Sequence, residues 1–296
     1  MMQLTAHTWM RPEPIKRSIE RMAQVGIPAM ELAGEPDWYT STEVARHMKA
    51  NGIGCAGTVT LTLGERNLCA GESAQREQTV EFMKKVVTMS KELGGTFTTV
   101  VPCTVGKITP DSTPEKEWAW LVDGLRELYS HAEKEGIRLG IEPLNRFEAY
   151  LINRADQAYA LAKEVGPNCG VTLDVFHMHM EEADLFRPFF QCKDRLVNVH
   201  IAENNRFAPG MGQINWSKLL ETLHAINYDA NLGLEFMPTI DRSSVQRYGA
   251  DQVEQDPKDC PPELYQFIVD HGSNLLSDSF YTSMFTTSIR TLNPLL

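Results

Sequence analysis

A chain of 296 residues, 42% of them hydrophobic, holds enough apolar material for a large core, which excludes an intrinsically disordered protein. Its formal net charge of −11 excludes a nucleic-acid binder, because phosphate contacts need a basic surface, and no apolar run approaches the ~20 residues that cross a bilayer. The N-terminal stretch lacks the sustained apolar core of a secretory leader, and Cys55, Cys69, Cys103, Cys169, Cys192 and Cys260 form no CxxC pair, so a reduced, cytoplasmic protein is the expectation.

In chain order, short β-branched runs alternate with amphipathic stretches. A strand at Gln3–Thr8 leads into a helix from Ile15. Strand Ala29–Leu32, a helix over Thr42–Ala50 and strand Gly54–Leu61 follow. A long helix is predicted over Ser73–Leu93, where Phe82/Met83, Val86/Val87 and Leu93 recur at helical spacing and share one face. Strand Thr96–Val101 is nearly all β-branched. Thr113 before Pro114 marks the next helix start, a hydroxyl cap with proline in the first turn; Leu121, Leu125, Leu128 and Ala132 form its buried stripe, and Gly136 ends it. Strand Arg138–Glu142, helix Ala155–Glu164, strands Gly170–Asp174 and Leu196–Ile201, helix Trp216–Ile226 and strand Leu232–Phe236 complete the series. Beyond it, 239–262 is polar, contains Pro and Gly, and is too long for an ordinary connection, which suggests a lid or contact loop. A helical segment, about Leu264–Thr291, is expected to close the structure.

Eight strand–helix units without linker or repeat predict a parallel sheet. No GxGxxG stands at a strand-to-helix turn, so the expectation is an α/β fold, a closed (β/α)8 TIM barrel in place of an open doubly wound sheet. The whole chain, 1–296, reads as one domain with C-terminal helices over 263–296.

Four ionisable residues fall at the carboxyl ends of the last four predicted strands. Glu142 ends RLGIE, Asp174 ends GVTLD, His200 lies near the end of LVNVHI and Glu235 near the end of LGLEF. In such a barrel those ends converge on the face where active sites are built. Taken singly, an Asp after a strand is commonly a turn or cap residue, and a His in an apolar run a hydrogen-bonded core residue. A Glu inside an apolar strand is harder to accommodate, since an unpaired buried carboxylate costs several kcal/mol. Two of them at matching depth, with an Asp and a His, would repel strongly unless a cation sat between them. One divalent metal ion held by Glu142, Asp174, His200 and Glu235 is therefore expected. Three carboxylates and one imidazole form a mostly hard donor set that suits Mn²⁺ first, with Mg²⁺ or Co²⁺ as alternatives, better than structural zinc. A divalent ion stabilises the enediolate left when a proton leaves the carbon beside a ketone. Glu142 and Glu235 are the candidate bases, one on each face of the substrate.

At these residues the sequence resembles the xylose-isomerase-like barrel superfamily, and most closely its D-tagatose/D-psicose 3-epimerase group of ketose 3-epimerases. The segments that carry the resemblance are IEPLNRFEAYLIN (141–153), GVTLDVFHMHMEE (170–182), VHIAENNRFAPGMG (199–212) and LGLEF (232–236). The first half of the chain matches only in its strand–helix rhythm. The resemblance implies Glu142, Asp174, His200 and Glu235 as metal ligands, Glu142 and Glu235 as the acid/base pair acting at C3, and Glu148, His177 and Arg206 as residues that bind the sugar. From the residues alone, Glu148 is a loop carboxylate, His177 a helix-start residue and Arg206 a solvated charge.

The implied activity is that of a metal-dependent sugar epimerase or isomerase with a small-molecule sugar substrate. The sequence departs from the family's pattern after the fourth strand, where it reads VVPCTVGKITP, and after Glu235, where Phe236 stands in place of the common Pro. Those departures make room for the alternative, a lyase of the C-glycoside deglycosidase kind that cleaves 3-oxo-glycosides after the same first proton removal. A homo-oligomer is expected under the first reading, and a complex with a small second subunit under the other.

Overall fold

The computed structural model describes residues 1–237, 260–270 and 276–296. The predicted lid over 239–262 therefore lies outside the described residues, apart from its last three. Eight parallel strands close into a barrel in chain order: β1 (Gln3–His7), β2 (Ala29–Ala33), β3 (Gly54–Val59), β4 (Phe97–Val100), β5 (Arg138–Ile141), β6 (Gly170–Asp174), β7 (Leu196–Ile201) and β8 (Asn231–Leu234). β8 pairs back onto β1, with Ala6 opposite Leu234. The helices are α1 (Ile15–Val25), α2 (Ser41–Ala50), α3 (Ser73–Glu92), α4 (Pro114–Glu135), α5 (Ala155–Val165), α6 (Val175–Glu181), α7 (Arg187–Cys192), α8 (Trp216–Ala225), α9 (Pro262–Asp270) and α10 (Asp278–Leu292). Among the described residues, no helix is long and apolar enough to cross a membrane.

The apolar core lies between the strands and the surrounding helices. The predicted stripe of α4 is buried at Leu121, Leu125, Leu128 and Ala132, and that of α8 at Leu219, Leu220 and Leu223. In α3 the buried face runs through Val80, Met83, Val86 and Val87. Phe82, expected on that face, sits at its edge with the Arg66 guanidinium 3.6 Å above its ring. The Thr113 hydroxyl does not cap α4; instead Glu117 reaches back to accept from the Asp111 and Ser112 amides. Gly136 ends the helix at a φ of 71°, the left-handed conformation that glycine adopts without a Cβ clash. The barrel interior is polar: Thr58 meets Thr98, and Thr99 meets Thr172, each at 3.0 Å between hydroxyls.

The connection from β6 to β7 carries two short helices, α6 and α7, which at 7 and 6 residues are too brief for a periodic signal. The C-terminal helical segment holds two helices, α9 and α10, and α10 starts afresh at Ser277, whose hydroxyl accepts from the Phe280 amide. α10 is tied to the barrel by charge and by packing. Arg21, wholly buried in α1, binds both Glu13 and Asp278, and Arg17 grips Asp278 through both its carboxylate oxygens. Tyr281 and Phe285 stack against Phe236, with ring centroids 5.7 and 4.9 Å away, so the C-terminal helix buttresses the residue that follows Glu235.

Candidate metal centre and active site

Parallel pairing sets the four predicted donors at one level. Asp174 and His200 are partners across β6 and β7, and His200 is opposite Gly233 of β8. Glu142 and Glu235 lie just past β5 and β8, yet their amides still donate to Val100 and Ile201 of the neighbouring strands. The strand direction therefore carries through both glutamates even though the regular strands end one residue earlier. Donor atoms of Glu142, Asp174, His200 and Glu235 all lie within 4.8 Å of one another, and all four residues are buried.

Around His200 the contacts divide by nitrogen. Nδ1 is 2.8 Å from Glu142 Oε1 and 3.1 Å from Glu235 Oε2, whereas Nε2 points down the barrel to Glu31 Oε2 at 3.1 Å. Burial works against charge on this ring, but Glu142, Glu31 and Glu235 outweigh it and hold its pKa well above that of a free histidine. For Glu142, burial raises the pKa above the usual carboxylate range; His200 pulls it down, and Glu235 and Asp174 push it up again. Asp174 goes the other way. Burial would raise it, yet Arg206 first, then His177 and His200, bring it down to about 2.

Asp174 also ends β6 and caps α6: its Oδ1 accepts from the Phe176 amide at 2.7 Å, which leaves Oδ2 for the site. Oδ2 is met by Arg206 Nη1 at 2.5 Å and lies 3.6 Å from His177 Nε2. Arg206 reaches on to Glu235 Oε1 at 3.5 Å, with its guanidinium 4.3 Å over the Phe176 ring. It is thus a largely buried cation, not the solvated charge that its place in a loop suggests. His177 accepts at Nδ1 from the backbone amide of Asn145, at 3.2 Å, which leaves Nε2 as its donor nitrogen. Asn145 also donates to Glu148 Oε1 at 2.7 Å, so one loop asparagine orients both predicted sugar-binding residues. A cavity at the barrel mouth has Glu142, Glu148, His177, Arg206 and Glu235 as polar lining, and Trp9, Leu61, Val101, Leu144, Met237 and Phe267 as apolar lining.

The donor set fits a hard divalent ion. Glu31, Glu142, Asp174 and Glu235 are four buried carboxylates faced by two cations, Arg206 and the His200 imidazolium, a formal excess of two negative charges. Glu235 Oε2 is buried without a hydrogen-bond partner. Its nearest cation, the His200 ring with Nδ1 3.1 Å away, hydrogen-bonds to Glu142 instead, so this costly buried oxygen is left available to a bound ion.

Sequence reasoning missed His7 and Glu31, which are partners across β1 and β2 and wholly buried beside His200. The signal was present for Glu31, a carboxylate inside the apolar strand AMELA. His7 lies 3.6 Å from Glu31 and 3.9 Å from Glu235, with neither ring nitrogen hydrogen-bonded. Burial, then His200 and Arg206, push its pKa well below the ordinary value, so it is neutral. Cys103 is buried, with its sulfur 3.1 Å from that of Cys69.

Comparison with known proteins agrees with this architecture. The model of the xylose isomerase-like TIM barrel family matches residues 16–259. The chain is 32% identical over 231 residues to the D-psicose 3-epimerase of Ruminiclostridium cellulolyticum, covering 74% of this chain and 77% of that protein. It is 28% identical over 227 residues to the 3-dehydro-D-guloside 4-epimerase of Escherichia coli, covering 73% and 85%. Among solved structures, the D-allulose 3-epimerase from Methylomonas sp. superposes with a TM-score of 0.83 over 100% of this chain and 97% of that one, at 20% identity, a likeness of fold. The chain belongs to the xylose isomerase-like TIM barrel family.

Proposed function

We propose that this chain is a divalent-metal-dependent sugar epimerase of the ketose 3-epimerase kind, which removes a proton from the carbon next to a ketone and returns one to the opposite face. The observation that carries the reading is the convergence of Glu142, Asp174, His200 and Glu235, from four successive strands, at the base of a cavity with polar and apolar walls. The similarity to a D-psicose 3-epimerase supports the substrate class.

A divalent ion held by these four residues, with Mn²⁺ our choice and Mg²⁺ or Co²⁺ alternatives, supplies electrostatic stabilisation for the negative charge that develops on the sugar oxygens. The proton itself is handled by the chain. Glu142 and Glu235 act as the acid/base pair, one taking the proton from C3 while the other delivers one from the far side. His177 offers Nε2–H to a sugar oxygen, because Asn145 already occupies Nδ1. Glu148 accepts from sugar hydroxyls, and Arg206 binds the carbonyl end. Trp9, Leu144 and Met237 exclude water, which strengthens every charge interaction inside.

The test combines metal analysis of the purified protein with incubation in heavy water of D-fructose, D-psicose and D-tagatose. Deuterium at C3 together with interconversion of the C3 epimers is the expected result. No exchange with any ketose would count against the reading. A panel of 3-oxo-glycosides belongs beside the ketoses, because a relative is named for a 3-dehydro-guloside. Release of the aglycone there would favour the elimination reaction instead.

A further inference from the structure

The buried carboxylate of Glu31 plays no part in the proton transfer described above, yet the fold is built around it. Its Oε1 accepts from the Thr5 hydroxyl at 2.7 Å, and its Oε2 from Asn198 Nδ2 at 2.8 Å and from His200 Nε2 at 3.1 Å. β2 and β3 shift register between Met30 and Glu31, and β6 and β7 shift between Val171 and Thr172, beside Asn198. Such bulges re-aim side chains. On β8, a Cβ added at Gly233 would stand 2.5 Å from Glu31 Oε1, so glycine there leaves the space the carboxylate fills. Strands β1, β2, β7 and β8 each contribute to its placement.

We propose that Glu31 is a positioning residue for the metal site. By accepting from His200 Nε2–H, it fixes the ring and turns the Nδ1 edge toward Glu142 and Glu235. A carboxylate behind a ligating imidazole also makes the ring a more basic donor. The inference rests on the metal reading of Glu142, Asp174, His200 and Glu235. A rival use of the same atoms exists, since donors of His7, Glu31 and His200 also lie within 4.8 Å of one another and could hold a second cation. The hydrogen bonds favour positioning: both Glu31 oxygens are already acceptors.

The test titrates Co²⁺ into metal-free wild type, Glu31→Gln and Thr5→Val. It is read by calorimetry and by the visible absorption of the bound ion, with metal-free thermal unfolding measured alongside. One Co²⁺ per chain is expected throughout. Affinity should fall about 10- to 100-fold in Glu31→Gln, with an altered Co²⁺ spectrum, and by a smaller factor in Thr5→Val, which keeps the shape and removes one clamp. Thr5→Val carries the test alone where Glu31→Gln does not fold. A lowered unfolding temperature with unchanged affinity and spectrum would assign Glu31 a purely structural role and overturn the proposal. Two Co²⁺ in wild type falling to one in Glu31→Gln would also overturn it, in favour of a second site. Wild type that binds no Co²⁺ would remove the metal reading itself, a failure visible before any variant is compared.

Discussion

Replacing Arg206 by methionine is expected to tighten metal binding while it impairs sugar binding. Arg206 lies 2.5 Å from Asp174 Oδ2 and 3.5 Å from Glu235 Oε1, so it stands on two of the oxygens proposed to hold the metal. At an effective dielectric near 20, unit charges 2.5 Å apart attract by about 6 to 7 kcal/mol. Desolvation of a mostly buried pair offsets much of this. The net worth of a hydrogen bond between charged groups is roughly 1.5 to 3 kcal/mol. A divalent ion that takes Asp174 Oδ2 must loosen that contact and also sit near the guanidinium charge. Removing the guanidinium should therefore raise metal affinity roughly 10- to 100-fold, taking about 1.4 kcal/mol per decade. Methionine is the chosen replacement because its thioether keeps an apolar contact with Phe176. The left-handed φ of 62° at Arg206 costs methionine about what it costs arginine, since neither is branched at Cβ, so the substitution leaves backbone strain nearly unchanged. The assay is calorimetric titration of metal-free protein with Mn²⁺ at low ionic strength, paired with the KM for the best ketose, which should rise. Weaker or unchanged Mn²⁺ binding in the variant would refute the idea that arginine and metal compete for Asp174.

Glu235→Gln should cut turnover by at least ~10²-fold, the scale of a lost acid/base group, and should weaken metal binding. Glu148→Gln should mainly raise KM. Steady-state kinetics with metal titrations separate the two, and unchanged turnover in Glu235→Gln would remove that residue from the chemistry. At the C-terminal anchor, the Arg17 guanidinium, with Arg21 beside it, holds Asp278 down to about 2 from an ordinary 3.8, against the effect of its partial burial. A folded-state pKa below the unfolded one gives stability that is present above pH ~4 and is lost as the pH falls toward 2. Asp278→Asn should therefore lower the thermal midpoint of metal-free protein at pH 7, with the gap to wild type closing by pH 2. A gap that persists at pH 2 would mean that packing, not charge, holds α10.

The barrel was legible because short apolar runs, several of them β-branched as in FTTV and LVNVHI, alternate with helices such as α3, α4 and α8 that carry clear apolar stripes, a signal that depends on no distant residue. The ends of strands were less so. β8 stops at Leu234 although LGLEF reads as one run, because Phe236 turns away to stack on Tyr281 and Phe285 and its amide meets Met10 Sδ at 2.9 Å. Those rings belong to α10, with Tyr281 45 residues beyond Phe236, which no local window contains. Ser277-Asp278, a good capping pair, marks the start of α10 within the C-terminal helical segment.

The candidate site divides in the same way, and closure of the barrel explains where. Glu142, Asp174, His200 and Glu235 come from four consecutive strands, so reading along the chain places them side by side. Glu31 is 169 residues from His200 and becomes its neighbour only because β8 closes onto β1, which brings β2 within reach across the barrel. The reasoning that singled out Glu142 and Glu235, a carboxylate in an apolar strand, applies equally to Glu31. It was passed over because Glu31 sits mid-strand, one layer below the mouth, where attention to carboxyl ends does not look. The depth itself carries meaning. Glu142 and Glu235 line the cavity at the mouth, whereas Glu31 below it meets Thr5, Asn198, His7 and the ring of His200. Glu31 does not line the cavity, so under the proposed function a charge placed there acts on the chemistry through its neighbours, with His200 as the hydrogen-bonded route.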